Sequence, residues 1–148
     1  MLSRDDTTLK KDRMSAGYSK NPLAKKLGIT PDFRICLINP PDNYNQLLGA
    51  VPAGVQQFTA LNGEFDLIQY FTKSQDELTQ QFPLLKSGLK MNGALWISWP
   101  KKASGVVTDL TEDIIRQIGL DNGLVDVKVV AVDDTWSGLK FVYRLQDR

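Results

Sequence analysis

The stretch FDLIQYFTKSQDEL, residues 65–78, changes character halfway along. Phe65, Leu67, Ile68, Tyr70 and Phe71 crowd aromatic and branched side chains into seven positions bounded by Gly63 and by Lys73-Ser74, the pattern of a buried strand. Ser74 and Glu77 then stand at the spacing of a capping box, in which each side chain takes the other residue's free backbone amide. A helix therefore begins there. Leu78, Phe82, Leu85 and Leu89 keep to one face of it, and Pro83 is expected to kink or restart it. A buried strand feeding straight into an amphipathic helix is half of a crossover, the connection that two parallel strands require.

The same unit repeats on either side. Upstream, Phe33–Asn39 reads as a strand buried on both faces and stopped by Asn39-Pro40-Pro41, because proline cannot continue a central ladder. Asp42–Gly49 reads as a short helix and Val55–Leu61 as a second strand. Downstream, Asn92-Gly93 turns the chain into a strand over Ala94–Trp99. Asp109-Leu110-Thr111-Glu112 repeats the cap spacing, ahead of a helix whose buried face carries Leu110, Ile114, Ile115 and Ile118 and which ends near Gly119–Gly123. Val125–Val132 and Leu139–Leu145 close the chain as an antiparallel hairpin around residues 133–138. Near the start, Asn21 suits a cap, Pro22 the first helical position and Gly28 the residue past a short helix over Leu23–Leu27. The sum is an α/β chain: a Rossmann-like, mostly parallel sheet with helices on both faces and a C-terminal antiparallel hairpin. Residues 1–20 read as a mobile arm, and 21–148 as a single α/β domain.

Composition narrows the chemistry. The chain contains no histidine and one cysteine, Cys36, which removes the common general base, the usual zinc ligand sets and any internal disulfide. Cys36 lies in the apolar run Ile35–Ile38 and reads as a small core residue. The first thirty residues carry seven Lys or Arg against three Asp, the remainder eleven against fourteen acids. Nucleic acid is therefore not an expected partner. Met1–Ser15 is polar and no apolar run reaches ~18 residues, so a cytoplasmic protein without membrane contact is expected.

In parallel sheets ligands gather beyond the carboxyl ends of the strands. Those ends carry Asn39, Lys73, Trp99, Lys101, Lys102, Asp133, Asp134 and Trp136, with Ser104 and Thr108 following on the approach to the next helix. Lys101 and Lys102 suit an anion, or else pair with Asp133 and Asp134 in a surface network. Asp133-Asp134 has the composition of a divalent-cation or acid–base pair, but a polar turn between two strands wants aspartates for its own geometry, and the turn is the preferred reading. Trp96 is expected in the core; Trp99 and Trp136 either floor a flat ligand or pack on the sheet edge.

Gly17-Tyr18-Ser19 with residues 21–28, Trp96–Thr111, and Val125–Val142 with DDTWSGLKFV inside it resemble a bacterial family of short proteins built on a domain of unknown function. The element order also looks like the carboxyl-terminal part of a Rossmann-like methyltransferase. That resemblance implies S-adenosylmethionine, held by a glycine-rich turn after the first strand and an acidic residue after the second. Here Asn39-Pro40-Pro41-Asp42 stands in place of the glycines, and no cofactor is expected in that mode.

Lacking histidine, a metal set and a nucleotide loop, the chain is expected to be a non-catalytic module binding a small anionic ligand or a protein partner at this rim. The alternative is an enzyme on an anionic or nucleotide-like substrate, with Lys101 or Lys102 meeting negative charge and Asp133 or Asp134 as base. A homodimer built on the hairpin edge or the helices is the remaining possibility.

Overall fold

The computed structural model describes residues 22–148, so Asn21 and the expected arm over residues 1–20 lie outside the described residues. Six strands form one sheet: β1 Arg34–Ile38, β2 Gln56–Phe58, β3 Phe65–Phe71, β4 Leu89–Pro100, β5 Leu124–Ala131 and β6 Trp136–Tyr143. Their spatial order is β2-β1-β3-β4-β6-β5. The first four run parallel, whereas β6 is antiparallel to both β4 and β5. Two reversals restore direction, so β5 runs with β1, β3 and β4 although it touches none of them. The mostly parallel sheet with a C-terminal hairpin stands as expected.

Helices cover both faces. α1 Leu23–Leu27 and α2 Tyr44–Leu48 lie on one, α3 Gln75–Ser87 and α4 Glu112–Asp121 on the other. Strand alternation sorts β4 cleanly: Leu95, Ile97 and Trp99 enter the α3/α4 core, and Trp96 enters the α1/α2 core, where its Nε1 donates to the Leu27 carbonyl at 3.0 Å. That bond satisfies an orphan carbonyl at the end of α1 and ties the helix to the sheet. Gly28 follows in the left-handed region at φ 85°, the conformation glycine adopts without a Cβ penalty.

Several expected boundaries move. Pro22 is the N-cap of α1, not its first helical residue. The second strand shrinks to three residues because only Arg34–Cys36 of β1 is available to pair with it. Pro83 does not interrupt α3, which runs unbroken for 13 residues. Leu89 heads β4 and does not continue the helix. Asn92-Gly93 is no turn either: it lies inside β4, in an irregularity that sets Phe65 against Leu89 but Leu67 against Ala94. Thr111, not Asp109, caps α4, its side chain accepting the Ile114 amide at 3.2 Å, and Ile114 is only partly buried. β6 starts at Trp136, three residues earlier than its apolar run, since Trp136–Gly138 pairs with the end of β4.

Gly119 marks the closest approach between layers. A Cβ there would stand 2.0 Å from the ring of Phe141, which is itself edge-on to Phe82 at 5.6 Å. Gly119→Ala gains about 1 kcal/mol of helix propensity but must displace a fully buried ring, an overpacking cost of about 1–3 kcal/mol or more. A net loss of stability is expected, read as a lower urea midpoint with an unchanged m-value. Cys36 is fully buried on β1, and burial pushes its thiol up from 9.0 to about 11. Because the folded value is the higher, this group favours folding below pH 9 and loses that contribution as pH rises towards about 11. Iodoacetamide near pH 8 is expected to label Cys36 only after unfolding, as mass spectrometry of native and denatured samples would show.

Candidate functional site

Each parallel strand exits on the same edge, so the residues that follow them are neighbours despite their distance in sequence. Asn39 after β1, Lys73 after β3, Lys101 after β4 and Asp133 after β5 all lie along it. Asn39 occupies the left-handed region at φ 58°, and its Nδ2 donates to the Phe71 carbonyl at 3.3 Å, strapping the end of β1 to the end of β3. Asparagine tolerates that backbone better than most residues.

The loop from β4 to α4 is stitched down over the exit of β3. Thr108 Oγ1 donates to the Lys73 carbonyl at 2.6 Å, and Asp109 accepts the Gln75 amide at 2.8 Å. Asp109 thus serves α3, not the helix that follows it. Ser104 folds its own 3-10 turn, donating to the Lys101 carbonyl at 2.7 Å, and Val107 projects from the loop 89% exposed. Ser74 caps α3 as expected, accepting the Glu77 amide at 3.1 Å. The reciprocal bond of the capping box is absent. Glu77 instead accepts from Thr72 Oγ1, which also takes the Ser74 amide at 3.2 Å. Tyr70 lies beside this pair, its phenol held well above the usual range by burial first and then by the Glu77 charge. Tyr70, Thr72 and Glu77 escape sequence reading because Glu77 looks fully employed as a cap and the other two read as strand. The available signal is the two-residue spacing of Tyr70 and Thr72, which directs both hydroxyls the same way at the strand's end.

On the opposite face a buried polar chain runs beneath α2. Tyr44 OH donates to Gln69 Oε1, and Gln69 Nε2 donates to Ser98 Oγ at 3.1 Å. Burial raises the Tyr44 phenol, keeping it a neutral donor. Phe71 stands between Tyr44 and Trp136, edge-on to both at 5.3 and 5.1 Å. Trp136 is half-buried in this aromatic stack, and Trp99 is core against α3 and α4. Outside α2 an open depression of about 410 Å³ is lined by Asp42, Asn43, Asn45 and Gln46.

The lysine–aspartate network across the rim does not form among the described residues. Asp133 Oδ1 accepts the Thr135 and Trp136 amides at 2.9 and 2.7 Å, so its carboxylate shapes the turn. Asp134 is exposed beside it. Lys101 contributes its backbone amide to the Thr135 carbonyl at 2.8 Å, joining β4's exit to the hairpin loop, and leaves its side chain half-exposed next to exposed Lys102.

No protein-family model matches the chain, and no curated protein does either. Solved structures do. A magnesium protoporphyrin IX methyltransferase from Synechocystis PCC 6803 is 14% identical over 77% of this chain and 75% of its own, at a TM-score of 0.52. A SAM-dependent methyltransferase from Aquifex aeolicus is 13% identical over 79% and 85%, at 0.55, and a TehB-like SAM-dependent methyltransferase from Corynebacterium glutamicum 10% over 87% and 91%, at 0.53. The fold is that of the Rossmann-like methyltransferases. Solved methyltransferases share it, and this corrects the expectation of a non-catalytic module, which rested on missing histidine, a missing metal set and a missing nucleotide loop.

S-adenosylmethionine is the group such a fold implies, and the residues here do not fit its usual mode. The turn after β1 has two prolines for glycines and is strapped to Phe71. After β2 come Thr59 and Ala60, with no carboxylate, and the aromatic stack of Tyr44, Phe71 and Trp136 lies beside the end of β3. Tyr44→Phe would leave the buried Gln69 carbonyl without its donor. It is expected to cost about 1–3 kcal/mol in urea unfolding, with Tyr44→Leu costing more.

Proposed function

We propose that the chain is a diverged enzyme of the methyltransferase fold, acting on an anionic or nucleotide-like substrate at the carboxyl edge of β3 and β4. The observation that carries this reading is the Tyr70–Thr72–Glu77 cluster, in which two hydroxyls meet a carboxylate at a strand exit of an otherwise apolar core. Lys73 and Lys102 follow β3 and β4 on the same edge and favour a substrate carrying negative charge. Glu77 is exposed and carboxylate-bearing, so it holds a proton drawn from the substrate, while Thr72 and Tyr70 orient it. Asp133 is not that base, since its oxygen is committed to backbone amides.

The same reading takes the chain to be a cytoplasmic bacterial protein, supported by one buried free cysteine and by the resemblance of its segments. No helix among the described residues is long and apolar enough to cross a membrane.

The test is turnover of an anionic metabolite and nucleotide panel followed by mass spectrometry, with and without S-adenosylmethionine, alongside calorimetric titration of that donor. Consumption of an anionic compound is expected, falling at least about 100-fold in Glu77→Gln while the melting curve stays the same. Titration of the donor is expected to show no saturable binding below millimolar concentration. A panel left untouched under both conditions would overturn the proposal.

A further inference from the structure

Four lysines, from α1, β5, β6 and the loop after β4, meet on the α1 side of the hairpin. Lys26 on α1 extends its Nζ to the Ala131 carbonyl at 2.7 Å, and Lys128 on β5 reaches within 3.5 Å of the Lys26 carbonyl. Lys140 on β6 sits directly opposite Lys128 in the strand register and on its other side opposite Trp96. Lys101 lies near Lys26 at the exit of β4, close enough that its charge, together with that of Lys128, disfavours the Lys26 ammonium after burial has done so first. Lys140 is likewise depressed by burial and then by Lys128.

The fold goes out of its way to create this crowding. The β5–β6 pairing slips between Asp126 and Lys128, leaving Val127 as an extra residue, 54% exposed. Without the slip, Val127 would face Lys140 and Lys128 would turn to the opposite side. A bulge that re-aims a side chain is a feature usually kept for function, and like charges directly opposite on a sheet are destabilising. Among the described residues the ion pairs lie elsewhere, on Lys90, Arg116 and Arg144, and none includes Lys26, Lys101, Lys128 or Lys140.

We infer that Lys26, Lys101, Lys128 and Lys140 form a binding site for the di- or triphosphate group of a small molecule. This deepens the enzyme reading by naming the charged part of its substrate, and it rests on that reading only for the word substrate. Four ammonium groups in one compact cluster match a polyphosphate of three or four charges. A nucleic-acid backbone fits less well, because residues 22–148 carry thirteen Lys or Arg against fourteen acids and offer no extended basic field. Lys101, which follows β4, brings the cluster to the carboxyl edge of the sheet.

Thermal melts at constant ionic strength test this with pyrophosphate, tripolyphosphate, ADP and adenosine as probes and with sulfate as the salt control. The parent protein is expected to gain roughly 5–10 °C at a hundredfold excess of pyrophosphate over its Kd, with ADP similar and adenosine and sulfate without effect. Lys128→Met with Lys140→Met is expected to melt above the parent in phosphate-free buffer, as repulsion is relieved, and to lose the pyrophosphate response at least about tenfold; Lys128→Arg keeps it. An equal response in parent and double variant, or a shift that sulfate reproduces, would overturn the site. Pyrophosphate binding without any turnover would keep the site and sink the enzyme reading, whereas turnover indifferent to the double variant would do the reverse.

Discussion

The loop between β4 and α4 lands on the exit of β3, where Thr108 and Asp109 satisfy backbone groups that no other described residue meets. Lys73 offers a carbonyl beyond the end of its strand, and Gln75 offers a free amide at the start of α3. Left unpaired at the junction of strand, helix and neighbouring loop, each would cost about as much as a lost hydrogen bond. Meeting them from one short segment fixes where α4 begins, and α4 in turn fixes the hairpin through Gly119 against Phe141 and Arg116 against Asp126. The carboxyl edge is consequently rigid at β3 and β4, where chemistry is proposed, and it is rigid for reasons local to that edge.

Sequence carried the architecture further than the site. Ser74–Glu77 announced α3, and the apolar runs of β1 and β3 announced a sheet buried on both faces, because cap spacing and hydrophobic runs are local signals. Where reading failed, a distant partner decided. Asp109 looks like the cap of the helix after it and caps the helix before it. Asn92-Gly93 looks like a turn and is absorbed into a long strand. Glu77 belongs to a capping box whose return bond it abandons for Thr72. No pattern within ten residues distinguishes these outcomes. Among rim residues, position along the edge was legible from strand direction and Asp133's commitment to its own turn from the composition of that turn, yet the place of Trp99 in the core was not.

An inventory of missing groups misleads about function in this chain. Absence of histidine removes particular mechanisms, not catalysis as such, since proton transfer can pass through a carboxylate with hydroxyl partners. What the chain lacks specifically is the glycine turn after β1 and the acid after β2, and in their place stand the Asn39 strap and an aromatic stack. These add buried aromatic area and a hydrogen bond across β1 and β3, both stabilising, without supplying the amides or the carboxylate of the usual mode.

A chain without the usual cofactor-holding residues has reason to hold a ligand elsewhere, and charge points to where. Lys26, Lys128 and Lys140 repel one another in a protein whose described residues carry a slight excess of acids, any of which could have been set among them. The slip at Val127 shows that the register itself bends to bring Lys128 round. Tolerating repulsion and an irregular pairing on one strand follows physically if a multiply charged anion completes the cluster, since each bound negative charge then converts a repulsive neighbourhood into an attractive one. The hairpin, added to the sheet in reverse and bulged, is in this view the element that moves the ligand from the junction of β1 and β3 to the side of β4.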